Sequence, residues 1–252
     1  MRAVRAYGAF SEPGPKRELN EDSYLVHPER ELFGIADGFG GVGIGDKAAK
    51  KSLEDVKFFV ENGLGDSEVT LPFIYRSYYT ASANLIFNAF LYANGQLCKE
   101  NQNKSIQTRA GASLLFSFFQ KPHLTLAHVG LCQAYLLRGS KLQSITTPRS
   151  YHFFRGGGFN PRWTFPLMAL GFAKDLEPEI LELKVEKGDV LFLMTDGVYP
   201  YLDPQELVQL YADLPLEEAL DIEMQVRNQK LKDLICQKGS VDNQALVTLV
   251  LA

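Results

Sequence analysis

Four acidic stretches of this 252-residue chain stand where apolar runs begin or end. Glu21-Asp22 open "NEDSYLV", Asp37 closes "LFGIAD", Asp196 closes "VLFLMTD" and Asp242 opens "DNQALVTLVLA". Any one of these acids reads as a turn or cap residue. Asp37 and Asp196 are each followed by Gly, and Asp-Gly is a common turn dipeptide because Asp hydrogen-bonds its own backbone and Gly accepts positive φ. Four such sites converging on one edge of a sheet would read differently. Clustered carboxylates repel, and cations would be required to hold them. Oxygen ligands without a His/Cys cluster favour Mg²⁺ or Mn²⁺ over zinc. Two such ions about 3.5–4 Å apart can share a carboxylate, lower the pKa of a bridging water and clamp the oxygens of an in-line phosphoryl displacement. Phosphate-ester hydrolysis is the chemistry that suits this ligand set.

The elements that must position the acids are short. "SYLVH", "LFGIAD", "GASLLFSFF", "LTLAHVG", "QAYLLRG", "KLQSIT", "DVLFLMTD" and "ALVTLVLA" are rich in β-branched, aromatic and leucine residues. Most are bounded by Gly, Pro, Asp or Asn, so they predict strands, some joined by tight turns such as "LRGSK". Helical spacing is expected from about Gly45 to Glu61, from about Leu71 to Glu100, and from Pro204 to Cys236 with a break near Pro215. The aromatics of "FIYRSYYTASANLIFNAFLYA" are expected to line the core. Strands, a helix pair, strands, helices and a last strand predict one α+β layered domain over residues 1–252 and not a repeating βαβ fold. The aromatic, basic and glycine-rich stretch 147–166 predicts an irregular surface loop, packed or in contact with a substrate.

Composition narrows the function. The hydrophobic fraction of 46% and charged fraction of 22% are those of an ordinary globular protein. A net charge of -4 leaves no electrostatic footprint for nucleic acid or an anionic membrane. Cys98, Cys132 and Cys236 are widely spaced and odd in number, which suits a reducing compartment and neither a disulfide framework nor a zinc motif. The N-terminus lacks the apolar core of a secretory signal, and no run approaches the roughly 20 apolar residues needed to cross a bilayer. A cytoplasmic location and a monomer are expected.

The ordered set "KRELNEDSYLV", "LFGIADGFGG", "RAGASLLFSFF", "LTLAHVGLCQAYLLRGSKL", "VLFLMTDGVYPYL" and "VDNQALVTLVLA" resembles the metal-dependent protein phosphatases, the type 2C serine/threonine phosphatases, in their compact bacterial form. The resemblance extends over nearly the whole chain. It implies a central antiparallel β-sandwich flanked by helix pairs, in four layers αββα. It also implies hydrolysis of phosphoserine and phosphothreonine in proteins by water activated between two Mn²⁺ or Mg²⁺ ions, in a pathway shared with a serine/threonine kinase and its targets. Asp37 is implied as the carboxylate bridging both metals and Gly38 as a backbone-carbonyl ligand. Asp196 and Asp242 are further ligands of one ion, and Glu21 and Asp22 serve the other side, partly through water. Arg17, four positions before Glu21, corresponds to the family's phosphate-binding arginine.

The chain departs from that pattern in three places. Phe39 and Val42 occupy positions where many members carry His. In "HVGLCQAYLLRG" the family's Gly-Asp-Ser-Arg is Gly130-Leu131-Cys132-Gln133, so the principal ligand of a third, weaker metal is missing at Leu131. That loss supports an alternative function, a pseudophosphatase that binds or regulates without useful turnover. His128, in an apolar strand, and Cys132, with no sequence neighbour that would lower its pKa, are expected to be structural.

Overall fold

In a computed structural model of the chain, which describes residues 2–41, 43–64, 72–120, 123–155, 158–214 and 220–252 and the side chains among them outside 151–164, the apolar runs pair as two five-stranded antiparallel sheets. The first runs β1 (Val4–Glu12), β12 (Gln244–Leu251), β11 (Val190–Met194), β6 (Gln133–Arg138), β7 (Lys141–Ser144). The second runs β10 (Glu179–Lys184), β5 (His123–Val129), β4 (Ala110–Gln120), β3 (Leu32–Gly40), β2 (Asp22–His27).

Strand alternation sends successive side chains to opposite faces, and here both faces are covered. Phe33, Ile35, Leu115 and Leu126 of the second sheet meet Cys132, Leu191, Leu193 and Val247 of the first in one core. The alternate residues Leu114, Phe116, Ala127 and Val129 pack outward against α1 (Gly45–Gly63) and α2 (Ala81–Asn101). On the far side Phe192, Met194, Leu246 and Val250 pack against α3 (Pro204–Tyr211) and α4 (Leu220–Gln237). The αββα sandwich implied by the resemblance is the fold. It also explains why β12, with all eight residues buried, reads as a continuous apolar run and not as an alternation.

The helices begin where local chemistry lets them. Thr80 caps α2 by accepting from the Ala83 N–H, and Asp203 with Glu206 forms a capping box ahead of Pro204 in α3. Helix α2 therefore starts ten residues later than its aromatic spacing predicts. Residues 72–79 are instead held to it by two buried asparagines: Asn88 accepts from the Phe73 and Ile74 N–H groups, and Asn84 from that of Arg76. Phe87 and Phe90 are buried as expected, but Phe73, Ile74, Tyr75 and Tyr78 are exposed, because they precede the helix and never turn a face to the sheet.

The irregular loop expected at 147–166 is instead a hairpin of β8 (Ser150–Arg155) and β9 (Gly158–Pro166), paired antiparallel. Strands β1 and β10 likewise form from segments that sequence patterning passed over. The expected break near Pro215 and the Val42 substitution lie outside the described residues. No helix among the described residues is long and apolar enough to cross a membrane.

Candidate active site

Register brings the acids to one end of the sandwich. Asp22 pairs directly with Asp37 across β2 and β3. From the other sheet, the Thr195 hydroxyl that follows β11 donates to Asp22 Oδ2 at 2.6 Å and accepts from the Ala245 N–H at 2.9 Å. That contact sets Asp196, the next residue, opposite the Asp22–Asp37 pair. Asp242 arrives just before β12, which neighbours β11.

Asn243 fixes the loop that carries Arg17. Its side-chain oxygen accepts from the Glu21 N–H at 3.0 Å, and its amide donates to the carbonyls of Pro13 and Leu19 at 3.0 and 2.8 Å. Arg17, with more than half of its side chain exposed, reaches Asp242 at 2.9 Å. Glu21 turns to the N-terminus of α1, where its carboxylate accepts from the Gly45 N–H at 3.0 Å. Ile44 offers α1 no side-chain cap, so Glu21 satisfies an otherwise orphaned donor at the positive end of the helix. Gly38 is required by this crossing: a Cβ there would stand 1.9 Å from the Gly45 carbonyl oxygen. At Gly197 a Cβ would stand 1.8 Å from the Asn243 carbonyl oxygen.

The crowded carboxylates resist ionisation. Burial, followed by repulsion from Asp196, Asp22, Asp242 and Glu21, holds the Asp37 carboxyl well above its ordinary range. Asp22 is raised in the same way, burial again first, against the opposing hydrogen bond from Thr195. Burial and Asp242 push Asp196 up to about 7. Burial also raises Glu21, partly offset by the Gly45 N–H. The Arg17 guanidinium is strengthened by Asp242.

As the side chains stand, no three His, Cys, Asp or Glu residues among those described form a ready-made chelate. Asp242 is turned to Arg17, Glu21 to Gly45 and Asp22 to Thr195, so each satisfies an oxygen within the chain. The donor chemistry nevertheless fits hard divalent cations: five carboxylates offer only oxygen, they repel one another, and Arg17 is the cation paired with them.

Three further positions follow from packing. Phe39, half-buried, meets Phe172, ring centroids 5.2 Å apart. Leu131 is 4% exposed, a buried apolar residue at the position where the resemblance implied a third-metal ligand. Cys132 is fully buried in the inter-sheet core, its thiol raised by burial, as expected of a structural residue. Thr195, Asn243 and the Gly45 N–H were not among the residues singled out from sequence. Thr195 and Asn243 are each the immediate neighbour of a predicted acid, which is the signal that could have found them.

No family model matches the chain. It is 26% identical over 265 residues to the serine/threonine protein phosphatase PstP of Mycobacterium tuberculosis, covering 99% of this chain and 45% of the relative. The chain thus spans about half the length of the curated relatives it matches. Its fold is shared with PppA, a regulatory component from Pseudomonas aeruginosa, at a TM-score of 0.78 and 22% identity, covering 99% of this chain and 100% of that one. It is shared also with the catalytic domain of PstP in complex with two manganese ions, at a TM-score of 0.75 and 21% identity, with both chains covered in full at 100%.

Proposed function

Because this chain has the fold of the metal-dependent protein phosphatases and is similar along its whole length to one of them, we propose that it is a phosphatase of phosphoserine and phosphothreonine in proteins, working as one catalytic domain. The observation that carries the reading is the gathering of Glu21, Asp22, Asp37, Asp196 and Asp242 at one sandwich end, with four of the five carboxyls raised. A site that disfavours its own negative charge this strongly is suited to bind divalent cations.

Asp37, the Gly38 carbonyl, Asp196 and Asp242 would hold the ions, with Glu21 and Asp22 on the other side. Two Mn²⁺ or Mg²⁺ ions bound there would supply an activated water and offset the charge of the phosphate. The chain's own residues do the rest. Arg17, exposed and held by Asp242, presents a planar fork to two phosphate oxygens at the mouth of the site. Asn243 holds the Arg17 loop at the required place, and Thr195 fixes the orientation of Asp22. The substrates are phosphoproteins made by a serine/threonine kinase. The three free cysteines suit work in the cytoplasm, and the protein is taken to act as a monomer.

A second reading, a pseudophosphatase that binds without turnover, is favoured by one observation, the buried Leu131 at the third-metal position. Hydrolysis of a phosphothreonine peptide with and without Mn²⁺ separates the two. Turnover that requires Mn²⁺ and is lost in Asp37→Asn supports the enzyme, since a neutral amide cannot bridge two cations. Mn²⁺-independent binding without turnover supports the second reading. Near-full Mn²⁺-dependent activity in Asp37→Asn would refute the assignment of Asp37.

A further inference from the structure

The end of the second sheet that carries the acids also carries polar side chains that the proposed chemistry leaves unused. Asp37 pairs with Ser113 across β3 and β4, and His128 pairs with Glu179 across β5 and β10. The two pairs adjoin, because a Cβ on Gly130, just past β5, would stand 2.4 Å from Ser113 Oγ. All four side chains share one face of the sheet. Two residues along from each, Ile35, Leu115, Leu126 and Leu181 belong to the core between the sheets. Asp37, Ser113, His128 and Glu179 therefore form a diagonal row that runs inward from the open edge of the sandwich, His128 being in register with Leu115, two residues deeper than Ser113.

Three members of that row have a buried atom, Ser113 Oγ, His128 Nε2 and Glu179 Oε2, with no hydrogen-bond partner among the described residues. Buried polar atoms in folded proteins normally have one. The nearest approach is His128 Nδ1 to Glu179 Oε2 at 3.6 Å, too long for a good hydrogen bond. A cavity of about 170 Å³ opens beside His128 and Glu179, walled by Val129, Leu167 and Met168. His128, then Arg149, hold the Glu179 carboxyl below its ordinary range, so it is anionic. Glu177, on the rim, is already engaged by Arg76 at 2.7 Å. Arg149 touches Glu179 only at 4.0 Å from a side chain 67% exposed, and such a surface contact is readily exchanged.

We propose, on the basis of the phosphatase reading, that this cavity receives a lysine or arginine side chain of the phosphoprotein substrate, four or five residues along the peptide from the phosphorylated Ser or Thr. The apolar walls suit the alkyl stem of such a side chain and Glu179 its charged head. Spacing sets the offset. Adjacent strands lie about 4.8 Å apart and Glu179 is in register with Ile35, two residues from Asp37, so Asp37 and Glu179 are separated by roughly 16 Å, the span of about five residues of an extended peptide at ~3.3 Å each.

The test is a panel of phosphothreonine peptides with alanine, lysine, arginine or glutamate at each position up to six residues on either side, assayed with Mn²⁺ alongside p-nitrophenyl phosphate, which carries no peptide. Lysine or arginine at one position should raise kcat/KM about fivefold over alanine, the size expected of one partly exposed charge pair, and glutamate should lower it. Glu179→Gln should abolish that ratio. Arg149→Ala, a surface change that keeps the test alive if Glu179→Gln fails to fold, should increase it by freeing Glu179. If neither p-nitrophenyl phosphate nor any peptide is hydrolysed, the phosphatase reading fails. The pocket is then tested by fluorescence anisotropy of the same peptides, where the basic peptide should still bind about fivefold tighter. Equal kcat/KM across the panel while p-nitrophenyl phosphate is turned over overturns the pocket alone. A basic preference that survives Glu179→Gln, or a preference for glutamate, which would assign the subsite to Arg149, overturns it as well.

Discussion

Replacing Asp196 by Asn should stabilise the protein in chelator at alkaline pH while removing its stabilisation by Mn²⁺. Burial and the neighbouring Asp242 raise the Asp196 carboxyl from its ordinary value near 3.8 to about 7. An acid whose folded pKa is raised contributes stability that is fully present below its unfolded value and is lost as pH rises through its folded value. Above pH 7 the ionised group therefore weighs against the fold by up to about 4 kcal/mol. Asp196 is only half-buried, and water relaxes part of that cost, so about 2 kcal/mol is the working figure. Asn keeps the shape without the charge. Its variant should melt roughly 4–8 °C above the parent at pH 8 in chelator, at about 2–4 °C per kcal/mol for a chain of this size. At pH 5, where part of the parent's Asp196 is protonated when folded, the gain should be smaller, and it should vanish below the unfolded value. Saturating Mn²⁺ should raise the parent's melting temperature by mass action and the variant's far less. Thermal melts at both pH values, in chelator and in Mn²⁺, make the measurement. A variant that melts below the parent at pH 8 in chelator, or gains as much from Mn²⁺, would show that Asp196 is not held in a repulsive cluster.

Arg17→Ala should lower kcat/KM by the loss of a charge-assisted fork, about 1.5–3 kcal/mol, without weakening Mn²⁺ binding, since Asp242 is set free; an unchanged kcat/KM removes Arg17 from the site. Leu131→Asp should destabilise the metal-free protein by at least about 2 kcal/mol, because an acid replaces a buried apolar residue. Excess Mn²⁺ should relieve that loss and add a second, low-affinity phase to the activity titration, whereas unrelieved destabilisation would leave Leu131 as core alone. Asn243→Ala should cost about 2–3 kcal/mol in denaturant melts, because it strands the Glu21 N–H and the carbonyls of Pro13 and Leu19; an unshifted midpoint would show that the Arg17 loop is held by other contacts.

Much of this molecule was legible in the chain because it rests on local chemistry. Strand periodicity and turn dipeptides located the strands beside Asp37 and Asp196, although β3 runs on past Asp37 to Gly40 and β11 stops at Met194, and motif order implied the sandwich that covers both sheet faces. The net charge of -4 gave no sign of a basic nucleic-acid surface. The tertiary structure decided what depends on partners distant in sequence. Nothing near Arg17 indicates that it meets Asp242, 225 residues away, or that the Thr195 hydroxyl serves Asp22 across 173 residues. Glu21 reads as a ligand from its motif, yet its carboxylate caps α1, because the β2–β3 register brings it to an uncapped helix end. The stretch 147–166 reads as a loop because its glycines and prolines weaken strand propensity, and only pairing between its two halves makes it a hairpin. Local propensity and periodicity are properties of neighbours in sequence. Hydrogen-bond partners, raised pKa values and the row from Asp37 to Glu179 are properties of neighbours in space, and they exist only once the sheets have closed.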